Sequence, residues 1–147
     1  MAPVPNGVYA ITKPNEQLLT LLGGASRPGS QVVLLPPTGQ PGEQEWEVAG
    51  LGNGNVTIKN LRSQTYLSFD GEPEVNKLLG GFAEPRQWVL RQSSEHFTFH
   101  IVVPGGPIDG SELVVDLSLL RIYPPLTALR PIQPQDVEQA WHFEFHE

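Results

Sequence analysis

Gln44-Glu45-Trp46-Glu47-Val48, Arg86-Gln87-Trp88-Val89-Leu90 and Gln139-Ala140-Trp141-His142-Phe143 are three versions of one pattern, and they contain all 3 tryptophans of the 147-residue chain. In each, a long polar side chain stands two residues before Trp, and apolar residues follow in alternation. A second mark keeps step with the first: Gly7-Val8-Tyr9-Ala10-Ile11, then Gly54-Asn55-Val56-Thr57-Ile58, then His96-Phe97-Thr98-Phe99. Two marks recurring in the same order, at a period of roughly 40–50 residues, identify an internal threefold repeat. Its units span about residues 1–50, 51–92 and 93–147 of one domain.

Working outward from these marks, strands are expected at 7–12, 31–35, 46–48, 55–60, 65–69, 76–82, 86–91, 96–103, 112–118, 120–123 and 139–146, with turn residues between them. Glu16–Leu22 has helix-like punctuation, Pro14 before it and Gly23-Gly24 after, but supplies only about two turns, too few for a helix on its own. In the repeat frame it matches Thr65-Tyr66-Leu67-Ser68-Phe69 and Leu113-Val114-Val115-Asp116-Leu117, and it is read as a strand. Unit three carries a longer insert, from Pro124 to Gln139. Twelve short strands in three groups of four make an all-β fold, and the β-trefoil is the expected architecture.

Composition narrows the function. The 9 basic residues are scattered among 16 acidic ones, for a net charge of −7, so the clustered cations that bind phosphates are missing and no nucleic-acid partner is expected. No apolar run approaches the roughly 20 residues of a membrane-spanning helix, and no membrane partner is expected. The chain has 0 cysteines, which removes disulfides, thiolate catalysis and Cys-based zinc sites. The opening Met-Ala-Pro-Val-Pro lacks a basic start and an apolar core, so a cytoplasmic protein is expected. The 15 Gly and 15 Pro lie between apolar runs and mark turns rather than a low-complexity tail. Nothing in the sequence demands a dimer; a monomer is expected.

Catalytic signals are weak. His142, Glu144 and His146 fall on one face of the last expected strand, opposite Trp141, Phe143 and Phe145. Two imidazoles and a carboxylate on one face are a metal-ligand set in type, but a solvent-facing polar side of a terminal strand is the commoner meaning. No Gly-x-Ser-x-Gly elbow is present, and Gly52-Asn53-Gly54 lies between strands with no helix after it, so it is not a phosphate loop. No enzyme, metal or cofactor is expected.

Loops and repeats point to two other functions. Arg27 precedes Pro28, which biases it toward the extended backbone that proteases read. Ser26-Arg27-Pro28-Gly29 is thus a candidate inhibitory loop, with Arg27 as the residue for the acidic specificity pocket of a trypsin-like serine protease. Arg62-Ser63 and Arg130-Pro131 are alternatives, although an exposed arginine is ordinarily just a soluble loop residue. The segments Val32-Val33-Leu34-Leu35-Pro36-Pro37, Glu45-Trp46-Glu47-Val48 and Gly52 to Asn60, with the ending from Leu129 to Phe143, resemble the mushroom β-trefoil protease inhibitors, cospin-type most closely and the clitocypins (mycocypins) more distantly. That resemblance implies a cytoplasmic fungal defence protein that inhibits serine proteases reversibly through the loop Gly24 to Ser30. For the cysteine-protease branch it implies loops around Pro14-Asn15 and Pro36 to Gly42. The threefold Gln-x-Trp pattern also resembles the ricin-B lectins, in which an Asp of the second strand binds sugar hydroxyls and an aromatic stacks on the ring. The matching positions here are Thr20, Ser68 and Asp116, so the resemblance implies a glycan site in unit three, with Asp116 and Tyr123 as its residues. The tryptophans themselves are assigned to the core. A serine protease is the expected partner, and a glycan the alternative.

Overall fold

The computed structural model describes residues 3–14, 17–108, 110–133 and 137–146. Its strands are β1 (Gly7–Lys13), β2 (Gln17–Leu21), β3 (Ser30–Leu35), β4 (Trp46–Gly50), β5 (Val56–Asn60), β6 (Tyr66–Ser68), β7 (Gly80–Phe82), β8 (Val89–Gln92), β9 (Thr98–Val102), β10 (Leu113–Leu117), β11 (Thr127–Pro131) and β12 (Trp141–His146). The segment after Pro14 is a strand, as the repeat frame requires, not a helix.

Six strands close a ring. β1 pairs with β4 and β12, β4 with β5, β9 with β8 and β12, all antiparallel. The last gap, between β5 and β8, is bridged at Val56 and Trp88, whose N–H and C=O groups exchange bonds of 2.9 and 2.8 Å. Closing the ring leaves it no open edge. The remaining strands form three hairpins, β2–β3, β6–β7 and β10–β11, and successive hairpins touch through β3–β7, Leu78–Ala128 and Val33–Leu126. Each contact repeats around a threefold axis.

The core follows from strand alternation. Tyr9 and Ile11, Val56 and Ile58, Phe99 and Ile101 are the inward pairs of the first strand of each unit, none more than 1% exposed. Trp46, Trp88 and Trp141 are fully buried, and each indole donates its N–H to a second-strand carbonyl: Leu19 at 2.9 Å, Leu67 at 3.0 Å and Val115 at 2.9 Å. A buried indole needs this partner, and the repeat supplies it three times. Burial raises the pKa of the Tyr9 phenol, whose hydroxyl donates to the Pro5 carbonyl at 2.6 Å.

Unit three departs from expectation. The strand expected at 120–123 is absent; its partner for β10 is β11, inside the stretch read as an insert. The register Leu117–Thr127, Val115–Leu129 and Leu113–Pro131 places the reversal at 118–126. Leu120-Arg121-Ile122-Tyr123 has strand-like composition but no strand to pair with, and Pro124-Pro125 leads into β11 rather than away from a strand. The strand expected at 76–82 also shortens to Gly80–Phe82: Asn76, at a positive φ of 71°, and Leu79 donate their N–H groups to Leu129 and Thr127 of β11 instead.

Candidate functional site

Directly after each carbonyl that holds a tryptophan stands the residue of interest: Thr20, Ser68 and Asp116. The long side chain that opens each Trp pattern reaches back to it. Gln44 donates through Nε2 to Thr20 Oγ1 at 3.0 Å and to the Pro36 carbonyl at 3.0 Å, and its Oε1 accepts from the Thr38 N–H at 3.0 Å. Gln139 donates through Nε2 to Asp116 Oδ2 at 3.2 Å and to the Pro131 carbonyl at 3.0 Å, and its Oε1 accepts from the Gln133 N–H at 2.7 Å. In unit two Arg86 takes this place. It donates to Ser68 Oγ at 2.7 Å and to the carbonyls of Phe69 and Gly71 at 2.9 and 3.3 Å, and its guanidinium lies 3.7 Å from the centre of the Phe69 ring. Desolvation by burial lowers the Arg86 pKa, and Glu72 opposes that shift.

The three positions differ in access. Thr20 and Ser68 are buried, whereas Asp116 is half-buried and lines a cavity of about 720 Å³ together with Leu117, Gln139, His142, Thr12 and Gln17. That volume falls within the range of small-molecule sites. Asp116 Oδ1 accepts from the Leu117 N–H at 2.7 Å. With Gln139 on the other oxygen, both oxygens are oriented. About four lone-pair positions on a carboxylate, less these two, leave about two for a ligand that brings donors. On another wall Lys13 donates to the backbone carbonyls of Glu138 and Ala140 and lies 4.3 Å from the centre of the Trp141 ring.

The other sequence candidates lie elsewhere. Arg27 is exposed, and its carbonyl accepts from the Ser30 N–H at 3.1 Å and the Ser30 hydroxyl at 2.6 Å. With Pro28 second and Gly29 third at φ 82°, Arg27–Ser30 is a tight turn of type II character, tied to β7 by the Gly29 N–H donating to Gly81 at 2.9 Å. The chain folds back immediately after Arg27, and Ser26 precedes this turn on the surface. Arg62 belongs to the turn after β5, where Asn60 Oδ1 accepts from the N–H groups of Arg62 and Ser63 at 3.2 and 3.1 Å. Its stem crosses Gly24, where a Cβ would come within 2.4 Å of Arg62 Cδ, so these two candidate loops adjoin.

Arg130-Pro131 is not a loop tip, a correction to the sequence reading. Both residues belong to β11, opposite Val114 and Leu113, and Arg130 Nη1 donates to Asn76 Oδ1 at 2.6 Å. Tyr123 does not line the Asp116 cavity; it is 77% exposed on the reversal before β11. His142 and Glu144 face outward and His146 lies 3.3 Å from Glu45, with no metal-holding group of His, Asp or Glu among the described residues. Of the loops implied for cysteine-protease contact, Asn15 falls outside the described residues. The Pro36 to Gly42 loop is pinned by Thr38, whose hydroxyl donates to Glu43 at 2.7 Å.

Sequence reasoning missed the rest of the cavity. His142 stood out only as a metal ligand, and Thr12, Gln17 and Leu117 carried no signal, because the wall joins segments distant in the chain. The leading Gln of the Trp pattern was the one available clue to what orients Asp116.

No family model matches the sequence, and no curated protein does. Solved structures match it closely in shape. The Rhizoctonia solani agglutinin aligns over 99% of this chain and 99% of its own, with a TM-score of 0.82 and 18% identity. The Macrolepiota procera ricin B-like lectin, solved in complex with lactose, aligns over 99% and 100%, with a TM-score of 0.78 and 20% identity. The designed threefold-symmetric protein ThreeFoil aligns over 95% and 99%, with a TM-score of 0.79 and 14% identity. The fold is a β-trefoil. Within this trefoil Asp116 stands on the third hairpin, and the ring strands β1 and β12 supply Thr12 and His142 to the same cavity. Among these structures the Macrolepiota procera protein is a ricin B-like lectin, the family whose Gln-x-Trp pattern the sequence resembles.

Proposed function

We propose that this β-trefoil binds glycans at a site in unit three centred on Asp116. The observation that carries the reading is the oriented carboxylate: fixed by the Leu117 N–H and by Gln139, and lining a cavity of about 720 Å³. Two vicinal sugar hydroxyls supply the donors that its remaining lone pairs require, in charge-assisted bonds worth about 1.5–3 kcal/mol each. His142 is the one aromatic ring among the described residues that line the cavity, and it takes the stacking role the sequence reading gave to Tyr123. The lactose-bound Macrolepiota procera lectin, built on the same frame, supports the saccharide class. A glycan array probed with the wild type and with Asp116→Asn tests the reading. Binding by the wild type that falls at least tenfold in the variant is expected; no binding by the wild type, or equal binding by both, rejects it.

The second reading is inhibition of a trypsin-like protease through Arg27. Exposure of Arg27 on a loop tied to the scaffold at Gly29 favours it. The turn at Arg27–Ser30 opposes it, since a protease cleft takes an extended segment on both sides of the bond. Trypsin assays of the wild type and Arg27→Glu separate the cases. Inhibition lost in the variant assigns the site to Arg27, equal inhibition by both moves it to Arg62, and none by either removes the reading.

A further inference from the structure

The reversal between β10 and β11 concentrates apolar surface as no other described loop does. Leu119, Leu120, Ile122 and Tyr123 are 66%, 56%, 54% and 77% exposed, within five consecutive residues. The other exposed large apolar residues, such as Leu61 and Val75, are scattered singly, which is ordinary for a folded surface. A contiguous apolar patch is not ordinary, and it marks a surface that is covered during function. The tip stands on a rigid base. The Ser118 N–H donates to Leu126 at 2.8 Å, the Leu34 N–H to Pro125 at 3.0 Å, and β10 and β11 pair along their full length.

Charge selects the occupant. The chain carries −7 overall, yet from Leu117 to Gln133 it has no acidic residue, and the one charge within the tip is Arg121. An apolar tip with a central cation and a flanking tyrosine matches the interface of a lipid bilayer. Leu and Ile enter the acyl boundary, Tyr sits at headgroup depth, and Arg extends its charge to anionic headgroups. A second copy of the chain fits less well. Five side chains about half exposed offer on the order of 500 Å², below the roughly 800 Å² per partner of a stable interface.

We propose that the Leu119–Tyr123 tip docks this protein onto the surface of membranes containing anionic lipid. This attachment at the interface departs from the sequence expectation of no membrane partner, which rested on the lack of a membrane-spanning run. It is also independent of the glycan site, since the lipid itself is the ligand.

The test is co-sedimentation with vesicles free of glycolipid, one set of phosphatidylcholine alone and one containing phosphatidylserine. The wild type is expected to sediment with the anionic vesicles. Leu119→Ser/Ile122→Ser is expected to lose most of that binding while keeping the wild-type melting temperature, because both side chains are exposed. Arg121→Gln is expected to weaken binding to the anionic vesicles about fivefold and to leave binding to the neutral ones unchanged. No sedimentation of the wild type overturns the proposal, and so does equal sedimentation of the wild type and the double variant. Light scattering of the protein alone closes the remaining route: a dimer abolished by the double variant, with no vesicle binding, assigns the tip to self-association and overturns membrane docking.

Discussion

Units two and three place different chemistry at one position of the same frame. In both, a buried tryptophan donates to a second-strand carbonyl, Leu67 or Val115, and the next residue receives the long side chain that opens the Trp pattern. Unit two uses Ser68 and Arg86. The guanidinium covers the Phe69 ring and spends its donors on Ser68 Oγ and the carbonyls of Phe69 and Gly71, so the position is closed and structural. Unit three uses Asp116 and Gln139, and the amide leaves the carboxylate oriented and open to a cavity. The lesson is that the repeat conserves what folds the chain, while exchanging one polar pair converts a structural contact into a candidate ligand site.

The largest effect tests the shared half. Trp88→Ala and Trp141→Ala should each cost about 3–5 kcal/mol in chemical denaturation, by equal amounts within error, because each removes a fully buried indole and orphans one carbonyl. A clearly smaller loss in one unit would break the equivalence of the frame. Next, Arg86→Ala should cost about 1–3 kcal/mol, since it leaves two carbonyls without their donor, whereas Asp116→Asn should change stability by less than about 1 kcal/mol. The reverse ranking would mean that unit three, not unit two, carries the structural contact. Third, Ser68→Asp with Arg86→Gln transfers the unit-three pair into unit two. Calorimetry with a glycan chosen from the array should show saccharide stoichiometry rising from one site toward two, the new site weaker because Ser68 is buried. Unchanged stoichiometry would show that the cavity, and not the polar pair, decides binding.

The smallest effect lies where the two units meet. Arg91 on β8 holds Glu112, just before β10, by two bonds of 2.6 and 3.0 Å, and these hydrogen bonds lower the Glu112 pKa. A carboxyl whose pKa is lower folded than unfolded stabilises the protein above its unfolded pKa and loses that contribution as pH falls through the folded one. Arg91→Gln should therefore lower stability near neutrality by less than about 1 kcal/mol, both side chains being partly exposed, and match the wild type in strong acid. A difference that persisted at low pH would assign the loss to packing.

Much of the frame was legible. The tryptophans as core residues and the alignment of Thr20, Ser68 and Asp116 follow from the repeat, and the structure bears out both. The misreadings share a cause. Leu120–Tyr123 has the composition of a strand, and Thr127–Pro131 is bracketed by prolines, but only pairing with β10 decides which becomes β11. Arg130 changed from loop tip to strand with that register. The cavity was illegible for a related reason: Thr12, Gln17, Leu117 and His142 meet only after the ring closes. Sequence showed that Arg86 replaces a glutamine, but not that its Nε and Nη2 donate to Ser68, Phe69 and Gly71.

The most direct measurement is nuclear magnetic resonance titration of the labelled protein with a saccharide identified on the array. Shift changes are expected only at Asp116, Leu117, Gln139 and His142 and their neighbours, with Ser68 and Arg86 unmoved. Changes centred on unit one or unit two, or none at saturating saccharide, would contradict a glycan site at Asp116.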